Sequence, residues 1–180
     1  MSENKSESNP PISTGRGDDG TTTLLGSGRM PKDDPRIAIL GDVDEASSFL
    51  GLARAEAGNE EFSELLIEVQ RLLYRIMGDV AMPKEDNFVG EKDLEYVEGA
   101  LEEWRDRTKL PTEFVVPGES QLGALLDVSR SVVRRAERSL VAAGYSEEHP
   151  CAVRTINRLS DLLYILARNA DGENLFSRGS

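Results

Sequence analysis

Residues 65–76 read LLIEVQRLLYRI, and the spacing of their apolar side chains decides the fold. Leu65, Leu66, Val69, Leu72, Leu73 and Ile76 recur at intervals of three and four, the period of one helical face rather than the alternation of a half-buried strand. The same period continues outward in both directions. The stretch DLEYVEGALEEW places Leu94, Val97, Leu101 and Trp104 on one face. Ser120 stands where a fourth helix needs its N-cap, and Gly144 follows that helix's end. The pattern predicts helices near 36–57, 61–82, 91–109, 120–143 and 150–170, with EFVVPG at 113–118 as a short extended piece. No internal repeat and no run of alternating strands occurs. The expected fold is all-α, a bundle of five helices, over residues 14–172. A disordered acidic tail is expected at 1–13 and a flexible end at 173–180.

Composition removes several functional classes. A chain of 180 residues is long enough for one domain with a sizeable core. No apolar run approaches the roughly 20 residues of a membrane span, and the polar start MSENKSESNPPIS lacks the apolar centre of a secretory signal. The expected location is the cytoplasm. One cysteine, Cys151, excludes an internal disulfide framework, and one histidine, His149, excludes Cys/His zinc sites and most nucleophile–histidine pairs. His149 precedes Pro150 and reads as a structural or surface residue at a helix entrance. A net charge of −12 repels nucleic acid and anionic membranes, so neither is an expected partner. Excess acid with few lysines is also what a high-salt cytosol favours.

The glycine-rich stretch GRGDDG at 15–20 fits two familiar patterns. Gly15, Gly17 and Gly20 match G-x-G-x-x-G, but that fingerprint needs a buried strand before it and a helix after it. Here a Ser/Pro-rich tail precedes and TTTLLGSG follows, so Asp33 and Asp34 are not ribose ligands of a dinucleotide fold. Arg16–Asp18 spell an adhesion tripeptide, which has no place in a disulfide-free helical protein. The stretch is also no Walker A loop, for it lacks the terminal G-K-[ST]. What remains is a loop over 14–35, dense in backbone N–H groups and hydroxyls. Such loops wrap phosphates through glycine nests; Thr14, Thr21, Thr22 and Thr23 add donors, and Lys32 adds a mobile charge.

The fourth helix supplies a complementary feature. At 100° per residue, Arg130, Arg134, Glu137 and Arg138 span an arc of about 100°, opposite Leu122, Leu125, Leu126, Ser129, Val132, Val133, Ala136 and Leu140. Arginines at i, i+4 and i+8 repel one another, and the guanidinium fork suits phosphate oxygens. This stripe reads as a polyphosphate site. In NRLSDLLYILAR, Asn157, Asp161, Tyr164 and Arg168 share one face; Asn157 suits a nucleotide's sugar or phosphate, while Asp161 and Arg168 fit an internal network between helices equally well. The first helix, IAILGDVDEASSFLGLARA, is apolar on most of its circumference and is expected to be buried on more than one side, against another subunit. Its Asp44 then needs a cationic partner, for which Arg130 is the candidate.

Taken together, TGRGDDGTTTLLGSGRMPKDDPRIAILGDVDEASSFLGLARA, FVVPG, RSVVRRAERSL and INRLSDLLYILAR resemble the PduO-type ATP:cob(I)alamin adenosyltransferases, in order and spacing, from Thr14 to Ala170. The resemblance implies a ferritin-like bundle that assembles as a homotrimer and transfers the 5′-deoxyadenosyl group of ATP to the cobalt of reduced cobalamin, releasing triphosphate. By motif position it puts Thr14, Gly15, Arg16, Gly17, Thr22, Thr23 and Lys32 on ATP, with Arg134, Arg135, Glu137 and Arg138 supplied by the neighbouring subunit and Asn157 on the nucleotide. It makes Asp44 and Arg130 an intersubunit ion pair beside the corrinoid, and Phe114 the aromatic that displaces the corrinoid's lower ligand. Arg134 joins these three in the catalytic set. Mg²⁺ is implied through the phosphates, with no Cys/His metal site. A cobalt reductase and a cobalamin-dependent acceptor enzyme are further implied partners. Two positions depart from the family: Asp19 stands where lysine is frequent, and Glu119 where a second glycine commonly follows the PG.

The chemistry fits the residues present. Cobalt(I) is itself a strong nucleophile, so the protein needs no nucleophilic side chain; it needs to align C5′ with cobalt and neutralise the leaving triphosphate. The competing reading is a non-catalytic helical protein that binds ATP or corrinoid in a regulatory or chaperone role.

Overall fold

The computed structural model describes residues 13–25, 27–82, 87–172 and 176. The expected disordered tail, apart from Ser13, and the expected flexible end, apart from Gly172 beside it and Phe176 within it, lie outside the described residues. Five long helices appear where the apolar period put them: α1 (Pro35–Glu56), α2 (Glu60–Ala81), α3 (Glu91–Arg107), α4 (Gln121–Ala142) and, after a single turn α5 (Tyr145–Glu148), α6 (Pro150–Asp171). Two elements depart from expectation. The short α5 adds a sixth helix. The stretch read as a loop contains an antiparallel hairpin, β1 (Thr21–Leu24) with β2 (Gly28–Pro31), in the register Thr21↔Pro31 to Leu24↔Gly28.

Local chemistry sets the helix starts. Asp34 accepts the Arg36 N–H, Asn59 that of Phe62, and Ser120 that of Gly123; each such cap stabilises by about 1 kcal/mol. Pro35 and Pro150 open α1 and α6, where a missing N–H costs nothing. Gly144 closes α4 in the left-handed region at φ +88°, as a glycine after a helix end does.

Pairings across helices fix their directions. Asp42 and Glu45 of α1 meet Ser139 and Arg135 of α4 respectively, so those two run antiparallel. Ser120 and Asn157 reach Asp171 and Glu137, so α4 and α6 are antiparallel as well. Glu91, Glu98 and Thr108 meet Arg154, Arg158 and Asn169 in order, so α3 and α6 are parallel. The core runs through all five long helices, with Val43, Leu66, Val97, Val133 and Leu163 each fully buried.

The bundle therefore has two distinct ends. One carries the hairpin, whose Leu24 and Met30 pack with Ala81, Ile37 and Leu40. Beneath it lies His149, which is buried, with Nδ1 3.8 Å from the buried Asp79 carboxylate. Burial pushes the Asp79 carboxyl above its ordinary value, against the hydrogen bond it accepts from the Phe88 N–H at 2.7 Å. His149 is thus the structural residue that its position before Pro150 suggested. The other end carries the α3–α4 connection, residues 108–120, with Phe114 at its middle.

Candidate functional site

At the hairpin end the glycines have separate jobs. Gly20 sits at φ +79°, a conformation that side-chain-bearing residues rarely adopt, and its carbonyl accepts the Lys32 N–H at 2.9 Å. Space at Gly17 is tight: a Cβ there would lie 3.1 Å from Lys32 Nζ and 3.3 Å from the Thr21 carbonyl oxygen, so the lysine would have to shift by a few tenths of an ångström. The fold thus brings together Gly17 and Lys32, two residues assigned to one ligand. Thr14, Gly15, Arg16 and Thr23 are exposed around them, and Thr22 is half-buried.

Asp19, where the resembled family often has lysine, shapes this loop. It accepts the Thr21 N–H at 3.0 Å and the Thr21 hydroxyl at 2.7 Å, and it pairs with Arg29, which also donates to the Arg16 carbonyl at 2.7 Å. The hydrogen bonds from Thr21, aided by Arg29, hold its carboxyl below the ordinary value. Asp34, at the start of α1, is held low in the same way by Arg36, which grips it through Nε and Nη2, each at 3.0 Å. These two aspartates are structural ties.

On α4 the described residues split into two groups. Arg135 is already engaged within the chain: its Nε donates to Asp42 at 3.0 Å and it also pairs with Glu45 of α1. Arg134 and Arg138 are exposed and have no carboxylate partner among the described residues; Arg138 donates only to the Arg134 carbonyl at 3.1 Å. In a chain with 33 Asp and Glu, two neighbouring arginines without an acid are conspicuous cations. Glu137 turns toward α6 and accepts the Asn157 amide at 2.7 Å, which brings these two candidates together. Arg158 in turn donates to the Asn157 side-chain oxygen at 2.8 Å.

A recess follows the α4–α6 groove toward the opposite end. Near its middle it is lined by Leu110, Arg130, Arg134, Ser160, Asp161 and Tyr164, about 250 Å³. It shares Arg130 and Tyr164 with a cleft of about 440 Å³ beneath the α3–α4 connection, where Phe114, Val115, Asp127 and Arg168 take over. Phe114 is 87% exposed. A large aromatic left in water costs apolar hydration, which fits a side chain that covers a ligand.

The expected burial of Asp44 is not met within the chain. Asp44 is exposed and has no ion pair among the described residues. The reason is the packing of α1: Ile39, Val43, Ala46, Leu50 and Ala53 turn inward, toward α2 and α4, and leave Asp44, Ser48 and the 54%-exposed Leu52 on an open face. Arg130 instead bonds Asp127 through Nε at 3.0 Å. Asp127 was not among the expected residues. It is buried, although helical spacing puts it beside Arg134 and Arg138 rather than on the apolar arc, so no signal in the sequence marks it. Its second partner is Arg168, fully buried, which also pairs with Asp171 at 3.2 Å. Arg168 therefore takes the internal-network role rather than a ligand role, while Asp161 is exposed and lines the recess.

Among the described residues no helix is long and apolar enough to cross a membrane, and no group of three or more His, Cys, Asp or Glu could hold a metal ion.

Comparison with known proteins matches these features. The family model for cobalamin adenosyltransferase covers residues 12–170. A corrinoid adenosyltransferase of Mycobacterium leprae is 41% identical over 182 residues, 91% of this chain and 92% of the relative. One from Bacillus subtilis is 37% identical, over 86% of this chain and 83% of its own length. Among solved structures, an arginine-to-lysine variant of the PduO-type ATP:corrinoid adenosyltransferase of Lactobacillus reuteri, complexed with ATP, superposes with a TM-score of 0.84 at 30% identity, over 93% of this chain and 100% of its own. A phenylalanine-to-alanine variant of that enzyme, complexed with cobalamin and ATP, gives 0.83 at 30% identity, over 94% and 100%. With a family model matching residues 12–170 and a relative 41% identical over 91% of its length, the chain belongs to the cobalamin adenosyltransferase family.

Proposed function

We propose that the protein transfers the 5′-deoxyadenosyl group of ATP to the cobalt of reduced cobalamin. The cobalt(I) electron pair forms the bond to C5′ as the C5′–O bond breaks, and triphosphate leaves with that bond's electrons. The observation that carries this reading is the pair Arg134 and Arg138 on α4, exposed and without an acid partner among the described residues, beside a recess that runs to an exposed Phe114. Arginines placed where charge develops on the leaving oxygens lower the barrier by preorganised electrostatics. Lys32, the Gly15–Gly17 loop and Thr22 and Thr23 supply donors for the other phosphate oxygens, and Asn157, held by Glu137, is placed for the nucleoside. Phe114 covers the corrinoid's lower face and excludes its axial donor, which eases reduction of cobalt(II). The ATP-bound and cobalamin-bound relatives support the pairing of these two substrates.

Within the chain the glycine loop and the Phe114 segment sit at opposite ends of the bundle. The α4 helix between those ends has 22 residues, about 33 Å at 1.5 Å per residue, so one chain's loop does not bring its ATP to its own Phe114 cleft. A complete site is then built with the glycine loop of one subunit beside the arginine face and cleft of another. A homotrimer with ATP at its interfaces provides this arrangement. It also gives Asp44, on the open face of α1, an Arg130 of a neighbour, which leaves Asp127 as Arg130's partner within the chain. Magnesium would travel on the phosphates, since the described residues offer no cage of their own and this ion commonly binds through phosphates, water and few carboxylates; no step is assigned to it.

The test is adenosylation itself. Protein mixed with ATP and chemically reduced cobalamin should develop the spectrum of adenosylcobalamin; binding of both substrates without that change would leave the non-catalytic reading. The interface is tested by mixing. Lys32→Ala and Arg134→Ala should each be inactive alone, and co-refolded mixtures should recover activity, because some interfaces then hold an intact loop and an intact arginine. Mixtures as dead as their parents would place both residues in one subunit's site.

A further inference from the structure

The segment that carries Phe114 is tied down at both ends by one turn of helix. At its start, the Thr108 hydroxyl accepts the Asn169 amide at 3.1 Å. At its end, Asp171 accepts both the Ser120 N–H at 3.1 Å and the Ser120 hydroxyl at 2.8 Å. Immediately before Asn169, Arg168 pairs with Asp171 and with Asp127, and Asp127 holds Arg130 through Nε. Arg168, Asn169 and Asp171 thus touch both anchors of the Phe114 segment and, through one carboxylate, the Arg130 guanidinium. Arg168 and Asp127 are buried, at 2% and 5% exposure. Gly123 has no room for a side chain because Asp171 occupies the space above it. Isolated buried charges cost several kcal/mol unless fully paired, so a chain of them kept beneath an exposed aromatic calls for a purpose that apolar packing would not serve.

We infer that the last turn of α6 is a positioning frame: Asn169 and Asp171 set the reach of Phe114 over the cleft, and Arg168, through Asp127, sets the direction of Arg130. None of the three frame residues needs to touch substrate. The inference rests on the role given above to Phe114, and its consequence is specific. Loosening the frame should impair the route that starts from cobalt(II), where the lower ligand must be displaced, and should spare ATP binding, which takes place elsewhere.

The experiment compares adenosylation started from cob(II)alamin with a mild one-electron reductant against adenosylation of cobalamin already reduced to cobalt(I). Asp171→Ala should slow the first by about tenfold and Thr108→Ala by about threefold, in line with the cost of small misplacements near reacting groups. Both should leave the second, and the KM for ATP, at the wild-type value. Thr108→Ser keeps the hydroxyl and should restore the rate. Thr108→Ala touches no buried charge, so it remains informative where Asp171→Ala fails to fold. Combined with Phe114→Ala, Thr108→Ala should cost nothing further. Wild-type rates in Thr108→Ala, or losses that add in full to those of Phe114→Ala, overturn the inference while leaving Phe114 its role. An unchanged cobalt(II) rate in Phe114→Ala alone overturns that role, and the frame with it.

Discussion

The two ends of this bundle are held in opposite ways. At the hairpin end, order comes from backbone turns and from exposed ties: Asp19 with Thr21 and Arg29, Lys32 resting on Gly17. At the Phe114 end it comes from buried charge: Arg168 between Asp127 and Asp171, with Ser120 on the far oxygen. Exposed ties are weak and exchange readily with water or with a ligand, whereas a buried paired charge holds one geometry or none. The first arrangement suits a surface that closes around a polyanion. The second suits a cleft whose shape must exist before its ligand arrives.

The largest effect should come from the buried end. Arg168→Ala strands Asp127 and Asp171 without their shared cation, and loss of one partner of a buried pair costs about 3–5 kcal/mol; urea unfolding would read it, and a cost near that of a surface pair would erase the contrast. Gly123→Ala comes next, at about 2 kcal/mol, because the new methyl group must push Asp171 off Ser120. At the hairpin end stability should barely change while function does. Gly17→Ala displaces Lys32 Nζ and should raise the KM for ATP about tenfold, equivalent to about 1.4 kcal/mol, with an unaltered unfolding midpoint. Arg29→Ala should cost less than about 1 kcal/mol. The smallest effect is on pH. Asp19 and Asp34 are held below the ordinary 3.8 in the folded state, so their contribution is present above that value and is lost only as pH falls through their lowered pKa values. Hydrogen exchange of the hairpin should therefore be flat from pH 7 to 4, after correction for intrinsic rates, and rise below; a rise near neutrality would point to other groups.

Much of this architecture was legible before any coordinates. The apolar period placed five long helices, and Ser120 and Gly144 marked the ends of α4 as caps do. The hairpin was missed because its strands are four residues each, too short for alternation to show; Leu24 and Met30, the two that turn inward, look like isolated apolar residues in a glycine loop. The helix α5 is a single turn, below the length that a period can reveal. The arginine stripe was visible because helical spacing is local. Its division was not: Arg135 pairs with Asp42 across 93 residues of chain, and nothing in the spacing separates it from Arg134. Asp44 was expected to be buried against another subunit because its helix is apolar on most of its circumference; within the chain, burial follows the one face that meets α2 and α4. Asp127 escaped notice for the reverse reason. It reads as an ordinary helix-surface acid until Arg168, 41 residues later, is found beneath it.

That separation also bears on how the protein comes into being. Synthesis runs from the N-terminus, so the loop, the hairpin and α1 to α4 have all been made before residues 168–171 are added. Until then Asp127 and Ser120 lack their partners, and the Phe114 segment has neither of its ties. A released chain truncated before Arg168 should thus present a collapsed helical body with an unset cleft. The last turn of α6 shapes the cleft only after the helices around it have been made.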